Sequence, residues 1–159
     1  AFYNLIGFAA AFAMVPVSRR FGASRVHMAC LALAGVCLLY LPHIGAGTGP
    51  SPALFQTLAM PELGRNLMLM VPAIGLGLGW ASIMGNPYVM LARSVPPERT
   101  GVYMGIFNMF IVIPLLLGGF IVNQLYDTVF AGDPRNVLMM SGVLMVCAAL
   151  ATMRVKVPE

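Results

Sequence analysis

The sequence predicts an all-α, polytopic membrane protein, and two observations carry that prediction. Of its 159 residues 60% are apolar and only 9% are charged, with a mean hydropathy of +0.89; a soluble domain has about a quarter of its residues charged. The nine basic and five acidic residues also gather between long uncharged stretches instead of recurring on one face of each turn, as they do on water-facing helices.

A membrane span takes roughly 20 mostly apolar residues, with about 17 to 25 tolerated, and five stretches fit. The first runs from about Phe2 to Val17, the second from Arg25 to Leu41, the third from Asn66 to Ala92, the fourth from Val102 to Tyr126 and the fifth from Val137 to Met153. None alternates with period two, so each has to close its backbone hydrogen bonds within itself as a helix. The loops expected between them are "SRRFGAS", "PHIGAGTGPSPALFQTLAMPELGR", "SVPPERTG" and "DTVFAGDPR". All are rich in turn residues and too short for a further domain, so residues 1–159 form a single transmembrane domain without a soluble catalytic module.

Lys and Arg set the orientation, because cytoplasmic loops retain them. Arg19, Arg20, Arg25, Arg93, Arg99, Arg154 and Lys156 fall on one side, and Arg65 and Arg135 on the other with Glu62, Asp127 and Asp133. The first side is expected in the cytoplasm. The chain then enters from the outer face with an odd number of spans and without a starting Met or basic leader, the pattern expected of a piece of a larger permease.

Cys30, Cys37 and Cys147 all fall within spans, with no His or acid at metal-ligand spacing, and are expected to pack rather than bind metal. His27 and His43, at opposite ends of the second span, read as interface residues ahead of a proton relay. "GLGLG" (75–79) lacks the dinucleotide-fingerprint spacing and a preceding strand, so it is not a nucleotide loop.

On a helical wheel Gly75, Gly79, Ser82 and Asn86 of the third span share one narrow stripe, and Gly105, Asn108, Val112, Gly119 and Asn123 share another on the fourth, with Gly101 just ahead. Small residues at this spacing let membrane helices approach closely. The amides ask for more: Asn86 and Asn108 suit either interhelical hydrogen bonding or a solute-facing role. Pro72 and Pro87 in the third span and Pro114 in the fourth each free a carbonyl and invite a kink. Trp80, the only Trp, sits mid-span rather than in an interfacial belt, either as core packing or as a platform for the apolar face of a sugar.

Two stretches resemble a known family. "VSRRFGASR" resembles the basic "D-R-x-G-R-R" loop of the major facilitator superfamily, matched here by Arg19, Arg20, Gly22 and Arg25. "GWASIMGNPYVMLARSVPPERTGVYMGIFNMFIVIP" resembles the tenth and eleventh helices of its sucrose and maltose-type sugar symporters, through Trp80 and Ala81, Pro87 and Tyr88, Gly101 or Gly105, and Asn108, Ile111, Val112 and Pro114. The resemblance covers most of the chain, as five helices of the C-terminal six-helix half of such a carrier. Arg19 stands where the family has an acid, and Leu115 where many relatives have Gln, so neither contact is carried over.

The resemblance implies a multi-pass protein of a bacterial inner membrane that moves a sugar by alternating access, coupled to protons. Its partners would be the sugar, protons, the bilayer and the missing N-terminal half, with no nucleic acid. Trp80, Asn86, Tyr88 and Asn108 become substrate-binding candidates, and Pro87, Pro114, Gly75, Gly79, Gly101 and Gly105 candidates for hinges or sliding surfaces. No acid lies at convincing membrane depth, which places a coupling carboxylate in the other half. Neither cofactor nor metal is expected, and the spans hold no Ser/His, paired-acid or metal constellation for an enzyme. A carrier of another small polar solute, a channel or a structural membrane subunit are the alternatives; a channel would ask for repeated polar rings.

Overall fold

A computed structural model describes the backbone of residues 2–44 and 61–155 and the side chains of residues 3–44 and 68–155. Residues 45–60 of the expected loop "PHIGAGTGPSPALFQTLAMPELGR" and Lys156 lie outside the described residues. The described chain is helical: α1 (Phe2–Phe21), α2 (Ala23–Tyr40), α3 (Pro61–Ser94), α4 (Thr100–Leu125) and α5 (Pro134–Thr152), with short 3₁₀ turns at Leu41–His43 and Pro97–Arg99. Among the described residues four helical segments are long and apolar enough to cross a membrane: Ala23–His43, Met68–Ser94, Pro97–Leu125 and Pro134–Thr152. They are compatible with a multi-pass membrane protein. The expected first span is helical, as α1, but is not among the four.

Two expected loops are corrected. "SRRFGAS" is almost wholly helix: α1 continues to Phe21, the Gly22 amide donates to the Ser18 carbonyl at 3.0 Å, and α2 starts at Ala23. A single residue makes the turn because Gly22 takes φ 88° and ψ 135°, a conformation that a Cβ penalises. Likewise "PELGR" is helical, within α3. Pro72 and Pro87 lie inside α3, and Pro114 inside α4.

The other ends follow local chemistry. Ser94 Oγ donates to the Met90 carbonyl at 2.8 Å as α3 closes. Before α5, Asp133 Oδ1 accepts the Arg135 amide at 2.8 Å and Pro134 takes the first helical position, a capped start. Ala131 and Gly132 both take positive φ there, and the Gly132 amide donates to the Tyr126 carbonyl at 2.9 Å.

The helices pack in the spatial order α1, α3, α2, α5. The contacts depend on missing side chains. A Cβ on Gly75 would run into Cys37 and Leu33, and one on Gly79 into Ala34. Gly77, between them, faces the opposite way, and its Cβ would lie 2.7 Å from Ile6 Cγ2 and 2.9 Å from the Tyr3 carbonyl. Alternate glycines therefore let α3 approach two neighbours at once, α2 with one face and α1 with the other. The α2–α5 crossing uses the same device: Cβ atoms on Gly35 and Gly142 would each lie 2.9 Å from the other's carbonyl oxygen. Ala10, Met14, Val26 and Ala81 form the apolar centre, joined by Cys30 and Leu78. Helix α4 stands apart; none of its residues is buried, and it meets α3 near Tyr88.

Candidate functional site

The stripe on α3 ends in a buried polar cluster that ties three helices together. Asn86 is 2% exposed and Ser82 fully buried. The Ser18 hydroxyl of α1 donates to Asn86 Oδ1 at 2.8 Å, and Asn86 Nδ2 donates to Ser82 Oγ at 2.9 Å. Ser82 Oγ lies 2.9 Å from Nδ1 of His27 on α2. With the imidazole proton on Nε2, the Ser82 hydroxyl donates to Nδ1 and the hydrogen bonds run in one direction from Ser18 to His27. Every buried side-chain nitrogen and oxygen among the described residues has a partner, as an apolar surrounding requires.

Of the two roles open to Asn86, this geometry supplies the interhelical one. His27, expected at an interface, is 8% exposed and turned inward. Cys37 is buried and Cys30 partly so, while Cys147 is exposed on α5 rather than packed. No three His, Cys, Asp or Glu side chains gather among the described residues.

Trp80 points elsewhere. Its side chain, 51% exposed, lines a groove of about 540 Å³ between α1 and α3. Phe8, Val15, Met84 and Val89 supply most of the apolar wall, Asn4 lies among them, and Arg19 and Arg93 close the end where α1 and α3 finish. Gly7 lies beside the indole: a Cβ there would sit in ordinary contact with Trp80 Cδ1, at 3.7 Å. Asn86 touches this groove only from beneath, its amide being committed to Ser18 and Ser82.

Tyr88 and Asn108 are brought together, but outside that groove. Tyr88 Oη donates to Asn108 Oδ1 at 2.7 Å, and its ring meets Phe107 edge-on at 5.2 Å between centroids. The four expected binding residues thus occupy three places: an open groove (Trp80), a buried cluster (Asn86) and the α3–α4 junction (Tyr88, Asn108). Of the expected hinges and sliding surfaces, Gly75 and Gly79 are packed hard against α2, whereas a Cβ on Gly101 or Gly105 would meet nothing among the described residues.

The residues of the basic turn share a cavity. Arg19, Arg20, Gly22 and Arg25 line a second cavity, of about 660 Å³, with Arg93 from the end of α3 and Thr152, Met153 and Val155 from the end of α5. Sequence reasoning missed Asn4 and Gly7 in the groove, Ser18 in the cluster and the Gly35–Gly142 crossing. Each is a single small residue whose partner lies on another helix, so no spacing within one span marks it. Comparison with known protein families, curated proteins and solved structures finds no match for this chain.

Proposed function

We propose that the chain forms most of one helical bundle of a secondary carrier of the major facilitator type, with the α1–α3 groove as part of the pathway for a sugar-sized polar solute. The observation that carries this reading is Trp80: a half-exposed indole near the middle of Met68–Ser94, over a largely apolar groove with few polar groups. Small-molecule sites have that form, and an indole face suits the C–H face of a pyranose. Asn4, Arg19 and Arg93 are the polar groups within reach of such a solute.

Tyr88 and Asn108, held to each other, provide a second polar contact where α4 adjoins. Alternating access would rock this bundle against its counterpart, and proton coupling would draw on a carboxylate elsewhere in the full-length protein, in a plasma membrane. Uptake of labelled sucrose and maltose, with and without a proton gradient, tests the proposal. Trp80→Ala is expected to lower kcat/KM about tenfold, as loss of roughly 1.4 kcal/mol of stacking and apolar contact implies, with Trp80→Phe intermediate. Full uptake by Trp80→Ala removes the groove from the pathway; transport of neither sugar removes the substrate class.

A further inference from the structure

The cavity at the turn between α1 and α2 shares Arg19 and Arg93 with the Trp80 groove and adds Arg20 and Arg25. Arg19 and Arg20 from the end of α1, Arg25 from the first turn of α2 and Arg93 from the end of α3 converge on one space of about 660 Å³. Glu98, the one described acid nearby in sequence, does not line it. Arginines that served only to orient the protein would spread into water. Here exposed arginines from three helices line the same volume, and α2 starts in its wall with no side-chain cap, adding the positive end of a helix to four guanidinium groups.

The rim is apolar: Phe21, Met153 and Val155 are 55%, 67% and 47% exposed, and the Arg20 guanidinium lies 5.4 Å from the centre of the Phe21 ring. We propose that this cavity binds a phosphate-bearing anion, its oxygens held by the arginines, and that the source is an anionic phospholipid whose chains lie on the Phe21–Met153–Val155 rim. Guanidinium forks match phosphate oxygens in pairs, and basic pockets between helices on the cytoplasmic side are where anionic headgroups bind.

The test uses purified full-length protein in neutral detergent, with phosphatidylglycerol, phosphatidylcholine and inorganic phosphate as separate probes read by native mass spectrometry and thermal unfolding. Phosphatidylglycerol is expected to bind at least tenfold more tightly than phosphatidylcholine, and Arg25→Gln with Arg93→Gln to remove that preference. Arg135→Gln, at the start of α5, is expected to keep it. All three side chains are exposed, and unchanged helicity by circular dichroism certifies each variant. Protection by millimolar inorganic phosphate that also displaces the lipid keeps the site and assigns it to soluble phosphates. Equal binding of the two lipids without protection by phosphate, or equal loss in Arg135→Gln, overturns the proposal.

Discussion

Replacing Asn86 by Ala isolates the polar cluster that joins α1, α2 and α3. The substitution removes an acceptor from Ser18 and a donor from Ser82, bonds of 2.8 and 2.9 Å in a place that is 2% exposed. Interhelical hydrogen bonds in membranes average about 0.6 kcal/mol and reach about 1.7, which is the contribution of the bond to Ser18; the bond to Ser82 lies within α3 and orients the amide. A buried hydroxyl left without a partner adds about 1–3 kcal/mol, less whatever Ser18 and Ser82 recover by turning to the carbonyl four residues back. The expected loss is about 2–3 kcal/mol, measured as reversible unfolding of purified protein in mixed detergent micelles. Asn108→Ala, which breaks an exposed pair, is expected to cost under about 0.6 kcal/mol by the same average. A cycle of Ser18→Ala, Asn86→Ala and the double variant is expected to show coupling of about 0.6–1.7 kcal/mol. A loss for Asn86→Ala no larger than that of Asn108→Ala, or additivity in the cycle, would refute the reasoning that the cluster clamps the helices.

The remaining expectations concern backbone and packing. Gly35→Ala places a Cβ 2.7 Å from Val146 Cγ2 and 2.9 Å from the Gly142 carbonyl; overpacking of about 1–3 kcal/mol outweighs the roughly 1 kcal/mol gained in helix propensity. In the same unfolding assay Gly85→Ala, which meets nothing, should be neutral or stabilising, and the reverse order would be incompatible with the α2–α5 crossing. Gly22→Ala is expected to cost about 1–3 kcal/mol, because φ 88° is strained for any residue with a Cβ; an unchanged midpoint would mean that the turn is built differently. Asp133→Ala should cost about 1 kcal/mol through the lost cap on the Arg135 amide, with Asp133→Asn retaining most of it.

Helical class and the approximate extents of the second to fifth helices were legible in the sequence, because apolar run length is a property of each segment alone. The boundary at the first turn moved for a local reason: Gly22 makes a one-residue turn, so Ser18 to Phe21 stay helical. What residue spacing left open was the use of each face. Gly75, Gly79, Ser82 and Asn86 share a stripe in sequence, yet the neighbours decide that Gly75 and Gly79 meet α2 while Asn86 reaches Ser18 of α1.

Gly77 shows the same division between sequence and tertiary structure. As a letter it repeats Gly75 and Gly79, but only the placement of Tyr3 and Ile6 makes it the seat of a second helix. Trp80 follows from that arrangement: with both glycine faces occupied, the remaining side of α3 opens on the α1–α3 groove and holds the indole there. Composition and run length determined that the chain is a set of apolar helices, because burial in lipid acts on each helix separately. Only tertiary structure decided which small residues became contacts and which polar ones became a clamp, because those roles depend on residues far apart in the chain, such as Ser18 with Asn86 and Gly35 with Gly142.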